Sequence, residues 1–297
     1  MTELLYGCSF VFTKDITSTI SPATLLAWRF GVALLVLLML WACRIVRLTL
    51  TKSTMKPLLL LAAFQPVAYY LGETFGVAQT SASESGLILS AIPVANLLTA
   101  AIVLKARPSR WQVVGISVTL AGVIATVVAG GVTFGAQAMG YLLLAAAVVA
   151  FALYTVFAER YAHASDLDKT FVMITAGAVT FCTMAVADHA SAGSMDYFLS
   201  LPLTRPDFAI AVAYLAIGCT IGAFFLQNYA ISSIGSNRYS TFIGVATVAA
   251  LVTGAVFLDE RLSAVQWLGG AAIVVGVYLA NKPGADKPAA LSNHPAP

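Results

Sequence analysis

Long apolar runs separated by short polar breaks repeat along the whole chain. They fall near residues 4–20, 22–43, 57–77, 83–104, 111–130, 139–158, 170–187, 208–230, 236–258 and 265–281. A bilayer core of about 30 Å takes roughly 20 apolar residues of helix, so the pattern predicts about ten transmembrane helices. Ser21 followed by Pro22 offers an N-cap with proline at the first helical position, and Pro57 and Pro108 are placed as similar starts. Pro66 and Pro93 fall inside runs, where each removes a backbone donor and is expected to kink its helix. The first run is the weakest, because only Leu4 to Phe12 is unbroken before Lys14 and Asp15; either a start placed late or a tilted, thinly anchored helix is expected. Without a basic n-region or an A-x-A site it does not read as a cleaved signal peptide. Residues 284–297, rich in Pro and Ala, read as a disordered cytoplasmic tail.

Composition sharpens this picture. Sixty per cent of the residues are hydrophobic and 10% charged, and the mean hydropathy is +0.89, far from soluble domains. The fold class is an all-α polytopic membrane protein. A net charge of +3 leaves no nucleic-acid footprint; the placement of charge is more informative. If ten helices alternate, Arg44, Arg47, Lys52, Lys56, Lys105, Arg107, Arg110, Arg160, Lys169, Arg238, Lys282 and Lys287 share one side, against Lys14, Arg205 and Arg261 on the other. Both termini are therefore expected in the cytoplasm, with the chain in the inner membrane. Cys8, Cys43, Cys182 and Cys219 form no CxxC pair, and His163, His189 and His294 share no metal-ligand spacing. ATP-binding and hydrolase signatures are missing too, so neither an enzyme nor a cofactor is expected.

The chain also repeats itself. "LKARPSRWQVVGISVTLAGVIATV" aligns without a gap on "LDERLSAVQWLGGAAIVVGVYLAN" at an offset of 154 residues, which matches Leu104 with Leu258, Gln112 with Gln266, Gly115 with Gly269 and Gly122 with Gly276. The same offset places Glu73 opposite Gln227 and Tyr70 opposite Phe224. Residues 1–130 and 139–281 are thus expected to be two five-helix repeats. An odd number of helices per half inverts the second copy in the membrane, the plan of many secondary transporters.

"LLYGCSFVFTKDI" with "SPATLLAWRF", then "SASESGLILSAIPVANLLTAAIVL" and "FLDERLSAVQWLGGAAIVVGVYLA", resemble the opening, helix 4–5 and helix 9–10 segments of the drug/metabolite transporter superfamily, EamA type. The resemblance covers nearly the whole chain. It implies export of small metabolites by alternating access, with a central cavity lined mainly by helices 1 to 4 and 6 to 9. Two departures stand out: the first helix is several residues short, and Ala106 stands where the first repeat usually carries the glutamate found here as Glu260.

Charges inside the apolar runs supply the candidate site. An unpaired arginine at the centre of a membrane helix costs roughly 2.5 to 3.5 kcal/mol on insertion scales, yet Arg29 lies within one. Its guanidinium fork suits a substrate carboxylate; the competing reading pairs it permanently with Glu73 or lets it snorkel to the interface. Lys14, Arg29, Glu73 and Glu84 all belong to the same half of the bilayer and are expected to form one cluster. Glu73, one turn after Tyr69 and Tyr70, is a candidate proton carrier, while Glu84 suits a helix N-terminus. Lys14 matches a lysine common at this point in the family and reads as a ligand contact or an interfacial anchor. Tyr154, Gln227, Asn228 and Tyr229 offer neutral polar groups at matching depth, and Phe10, Phe12, Phe151, Phe224 and Phe225 are candidates for an apolar lining. The proposed substrate-binding set is Arg29, Tyr70, Glu73, Tyr154, Gln227 and Lys14.

The expected function is export of a small amphipathic metabolite, an amino acid or related compound, because the two cations and two carboxylates balance as a zwitterion requires. Protons are a candidate coupling ion, and the oligomer a monomer or a homodimer built on helices 5 and 10. Efflux of hydrophobic cationic drugs is the nearest alternative, and a non-transporting membrane scaffold the alternative of a different class.

Overall fold

Ser21 accepts a hydrogen bond from Thr24 N at 3.2 Å and so closes the first turn of a helix that runs from Pro22 to Ala42. In the computed structural model, which describes residues 1–103, 109–129, 135–161, 164–240 and 242–280, such helices account for nearly all of the chain. They are α1 (Thr2–Thr17), α2 (Pro22–Ala42), α3 (Lys52–Gln79), α4 (Ala82–Leu89 continued by Ile92–Val103), α5 (Arg110–Ala129), α6 (Ala136–Arg160), α7 (Asp166–Ser191), α8 (Pro206–Ile234), α9 (Ser236–Ser240 continued by Ile243–Phe257) and α10 (Ala264–Ala280). A short linking helix, Met195–Thr204, precedes α8. Eight of these among the described residues are long and apolar enough to cross a membrane; α1 and α10 are shorter. The tail 284–297, Lys105, Ala106, Arg107, Pro108, His163, Lys282, Lys287 and His294 lie outside the described residues.

One local reading needs correction. α3 starts at Lys52, where Thr51 and Thr54 form a reciprocal capping box, so Pro57 sits inside the helix rather than at its start. α1 continues through Lys14 and Asp15 to Thr17, in line with the run 4–20, and Lys14 finds a backbone acceptor in α3. The expected break at Pro66 is present: Gln65 has φ −138° and ψ 120° inside the wide turn Ala63–Ala68. α8 carries a second widened stretch, Tyr214–Ala223.

In lipid, helices associate through packing and polar contacts rather than water exclusion, so small residues mark the tight seams. α5 and α10 make the tightest. A methyl group built on Gly122 would stand 2.6 Å from the Gly269 carbonyl oxygen, and one on Gly276 would collide with Thr119. That face is used within the chain, so a dimer contact on these helices would involve their outward sides. Around this seam α2 packs on α7 and α4 on α9; α1 lies against α8 and α9, and α6 against α3 and α4. These pairings map onto one another when the first five helices are exchanged for the last five. A cluster of buried rings fills the centre, with Phe30 within 5.4 Å of Tyr70 and 5.1 Å of Phe181.

Candidate functional site

Arg29 enters the core because Phe30, its neighbour on α2, is locked among those rings, and because seven residues of helix carry it about 10 Å past the start at Pro22. Its residue is 1% exposed, so it does not snorkel. Nε donates to Thr220 Oγ1 at 2.8 Å, and Nη2 donates to Tyr70 Oη at 2.9 Å. The Tyr70 ring lies 4.3 Å from the guanidinium carbon. Thr220 belongs to the widened stretch of α8 and donates its own proton to Leu215 O at 2.9 Å, which leaves its lone pairs to Arg29. These partners are neutral. The ion pairs among the described residues join Lys169 to Asp166 and Arg205 to Asp207. Glu73 is buried on α3 and accepts from Thr74 Oγ1 at 2.7 Å, but it does not pair directly with Arg29. A buried guanidinium with only hydroxyl and π partners keeps an unspent preference for an anion.

On the other side of Tyr69 and Tyr70 lies a small cavity of about 30 Å³, bounded by Tyr6, Phe10, Gln65, Tyr69, Phe151 and, at one end, Glu3. That is about the volume one water occupies in the liquid. Any larger solute would fit there only if the surrounding helices parted. Tyr6 Oη donates to Gln227 Oε1 at 2.7 Å, and Gln227 Nε2 donates to Gln65 Oε1 at 3.0 Å. Gln65 Nε2 is buried and has no partner. A parallel chain runs from Tyr154 Oη to Asn228 Oδ1 at 2.7 Å and from Asn228 Nδ2 to Thr170 Oγ1 at 3.2 Å.

The sequence matches EamA, the EamA-like transporter family, over residues 1–128 and again over 138–282. The chain belongs to this family. It is a multi-pass membrane transporter and not an enzyme. Among its relatives, the uncharacterized transporter YcxC of Bacillus subtilis (strain 168) is 31% identical over 282 residues, covering 94% of this chain and 90% of that protein. The probable amino-acid metabolite efflux pump of Escherichia coli (strain K12) is 23% identical over 199 residues, 67% of each chain. A solved crystal structure superposes with a TM-score of 0.62 at 20% identity, covering 94% of this chain and 93% of its own, and so shares the fold.

The EamA frame divides the four charges that were expected in one cluster. Arg29 and Glu73 sit at the core, whereas Lys14 donates to Ala78 O at 3.1 Å and closes the last turn of α3. Beside it Glu84 forms a capping box with Ser81 and accepts from Gln266 Nε2 at 2.7 Å. The split follows from helix ends: Lys14 and Glu84 satisfy backbone groups that a helix terminus leaves open. Glu260 does the same for Ala82 N and Ser83 N, both at 2.8 Å. For α9 the equivalent service comes from Glu159 on α6, which accepts from Ser236 N and Oγ. Glu260 therefore shapes the fold at the start of α4 rather than serving only as a loop residue.

The remaining candidates scatter by one layer. Tyr154 and Gln227 are fully buried in the two polar chains, and Phe224 is packed in the core, but Tyr229 is 57% exposed and Phe225 40%. None of the six proposed binding residues lines the small cavity; Phe10 and Phe151, named for an apolar lining, do. Sequence reasoning missed Glu3, Tyr6 and Gln65. Gln65 stands beside Pro66, a kink signal that points to exposed backbone polarity; Glu3 carries no comparable mark.

Proposed function

We propose that this transporter exports small amphipathic metabolites of the amino-acid class by alternating access across the inner (plasma) membrane, with ten helices in two inverted repeats and both termini in the cytoplasm. The observation that carries the reading is Arg29, a buried guanidinium held by Tyr70 and Thr220 with no carboxylate paired to it. Permanent neutralisation by Glu73 would have removed the need for an external anion. A substrate carboxylate meets that need in bidentate form. The name of the Escherichia coli relative, an amino-acid metabolite efflux pump, supports the same class. The exchange symmetry of the helix pairings supports inverted repeats that rock about a central site.

Counterflow in proteoliposomes tests this, with a panel of labelled amino acids and cationic dyes and Arg29→Ala beside the parent. Saturable amino-acid exchange that disappears in the variant is the expected result. Dye flux that survives the substitution would move the function to cationic drug efflux and make Arg29 structural. Absence of flux for every compound would place the substrate outside both classes.

A further inference from the structure

Glu3, the third residue of the sequence, is buried to 6% exposure between α1 and the first segment of α9. Its Oε1 accepts from Tyr239 Oη at 2.5 Å. The carboxylate borders two spaces. On one side is the cavity of about 30 Å³ walled by Tyr6, Phe10, Tyr69 and Phe151. On the other is a recess of about 200 Å³ lined by Thr2, Ile234, Tyr239 and Phe242. No lysine or arginine lines either among the described residues, and the cationic group nearest Glu3 is the amino group of Met1, which lines the recess and not the inner cavity.

Gln65 lines the same inner cavity as Glu3, and its orientation is set by hydrogen bonds to other residues. Tyr6 fixes the Gln227 amide, Gln227 gives its Nε2 to Gln65 Oε1, and Gln65 Nε2 is left buried without an acceptor. A carboxyl acceptor and an unused donor thus share one aromatic-walled space the size of a small polar group. A buried donor left unmade is unfavourable, and a ligand oxygen would relieve that cost.

We propose that Glu3 is a specificity-determining residue that binds the substrate's ammonium group, with Gln65 Nε2 donating to an oxygen of the same molecule and the rings of Tyr69 and Phe151 against its apolar part. This rests on the amino-acid reading above and narrows it to substrates with a free primary amine. An ammonium group brings three donors to a carboxylate that now receives one from Tyr239. Tyr239 is therefore a competitor that the substrate displaces. Because Glu3 borders both spaces and Tyr239 lines the recess, the displacement would join the two and make room for the rest of the molecule. Tyr239 rides on Ser236–Ser240, a five-residue segment distinct from the longer part of α9, which gives it a short element to move with.

The test is labelled-leucine counterflow by the full-length protein in proteoliposomes, with unlabelled leucine, isopentylamine and N-acetylleucine as competitors. The parent should be inhibited by leucine and isopentylamine and not by N-acetylleucine. Glu3→Gln should raise the leucine KM about tenfold with little change in kcat and abolish discrimination against N-acetylleucine. Tyr239→Phe, which removes the competing donor and keeps the ring, should lower the KM about threefold. An unchanged KM and unchanged discrimination in Glu3→Gln would overturn the proposal. Should Glu3→Gln fail to fold, Glu3→Asp and Tyr239→Phe carry the same comparison. Should the parent not move leucine, the amino-acid reading fails by itself. Calorimetric titration of isopentylamine into the solubilised parent and Glu3→Gln then decides Glu3 separately: binding lost in the variant supports the proposal, and no binding to the parent overturns it.

Discussion

Tyr70 meets Arg29 twice: its hydroxyl accepts from Nη2 at 2.9 Å, and its ring lies 4.3 Å from the guanidinium carbon. One side chain therefore supplies both a lone pair and a π face to a cation taken out of water. The two contributions can be separated. Tyr70→Phe keeps the ring and should cost about 2 kcal/mol of stability, the scale of a hydrogen bond to a charged group. Tyr70→Leu should cost about 2 kcal/mol more, because the desolvated cation–π contact goes as well. Denaturant titration in micelles reads both values; equal losses would mean that the ring contributes nothing to holding Arg29.

Glu73 is the expected carrier of a coupling proton. It lies on α3 with Arg29 held by Tyr70 one turn away, and its hydrogen-bond partner is the hydroxyl of its neighbour Thr74. Glu73→Gln keeps the shape and removes the titrating group. Accumulation driven by an imposed pH gradient should vanish in this variant while counterflow persists. Gradient-driven uptake that survives Glu73→Gln would assign coupling elsewhere, and a parent indifferent to the gradient would leave facilitated diffusion.

The α5–α10 seam gives a purely steric prediction. Gly122→Ala places a methyl group 2.6 Å from a backbone oxygen that cannot swing aside, and overpacking of this kind costs about 1–3 kcal/mol. Gly276→Ala should behave alike. Gly244→Ala, with nothing within 4 Å of the new methyl, is the control and should be neutral or slightly stabilising. Unfolding midpoints for the three variants check the order; a Gly122→Ala midpoint equal to the control would mean the helices can separate freely.

The sequence made some features plain and hid others for identifiable reasons. Arg29 was conspicuous because a lone charge in an apolar run has no lipid-compatible place except the protein interior. The succession of long apolar helices followed from run length, and the matched glycines of α5 and α10 from their spacing. Which side of a helix faces inward did not follow: Asn228 is buried while the adjacent Tyr229 is exposed, and in a helix apolar all round nothing local distinguishes them. Glu3 was invisible for another reason. At the edge of an apolar run a carboxylate looks solvated, and only the approach of Tyr239, 236 residues later, encloses it.

Thr220 donates to the carbonyl five residues behind it within the widened part of α8, and the same oxygen holds Arg29. Gln65, the extended residue in the broken turn of α3, holds Gln227 across the interface. The residues that interrupt these two helices are thus the ones that carry the polar network. Joint and polar network are one piece of chain, so bending either helix would rearrange the contacts of Arg29 and Gln227, and anything that rearranged those contacts would bend the helices in return.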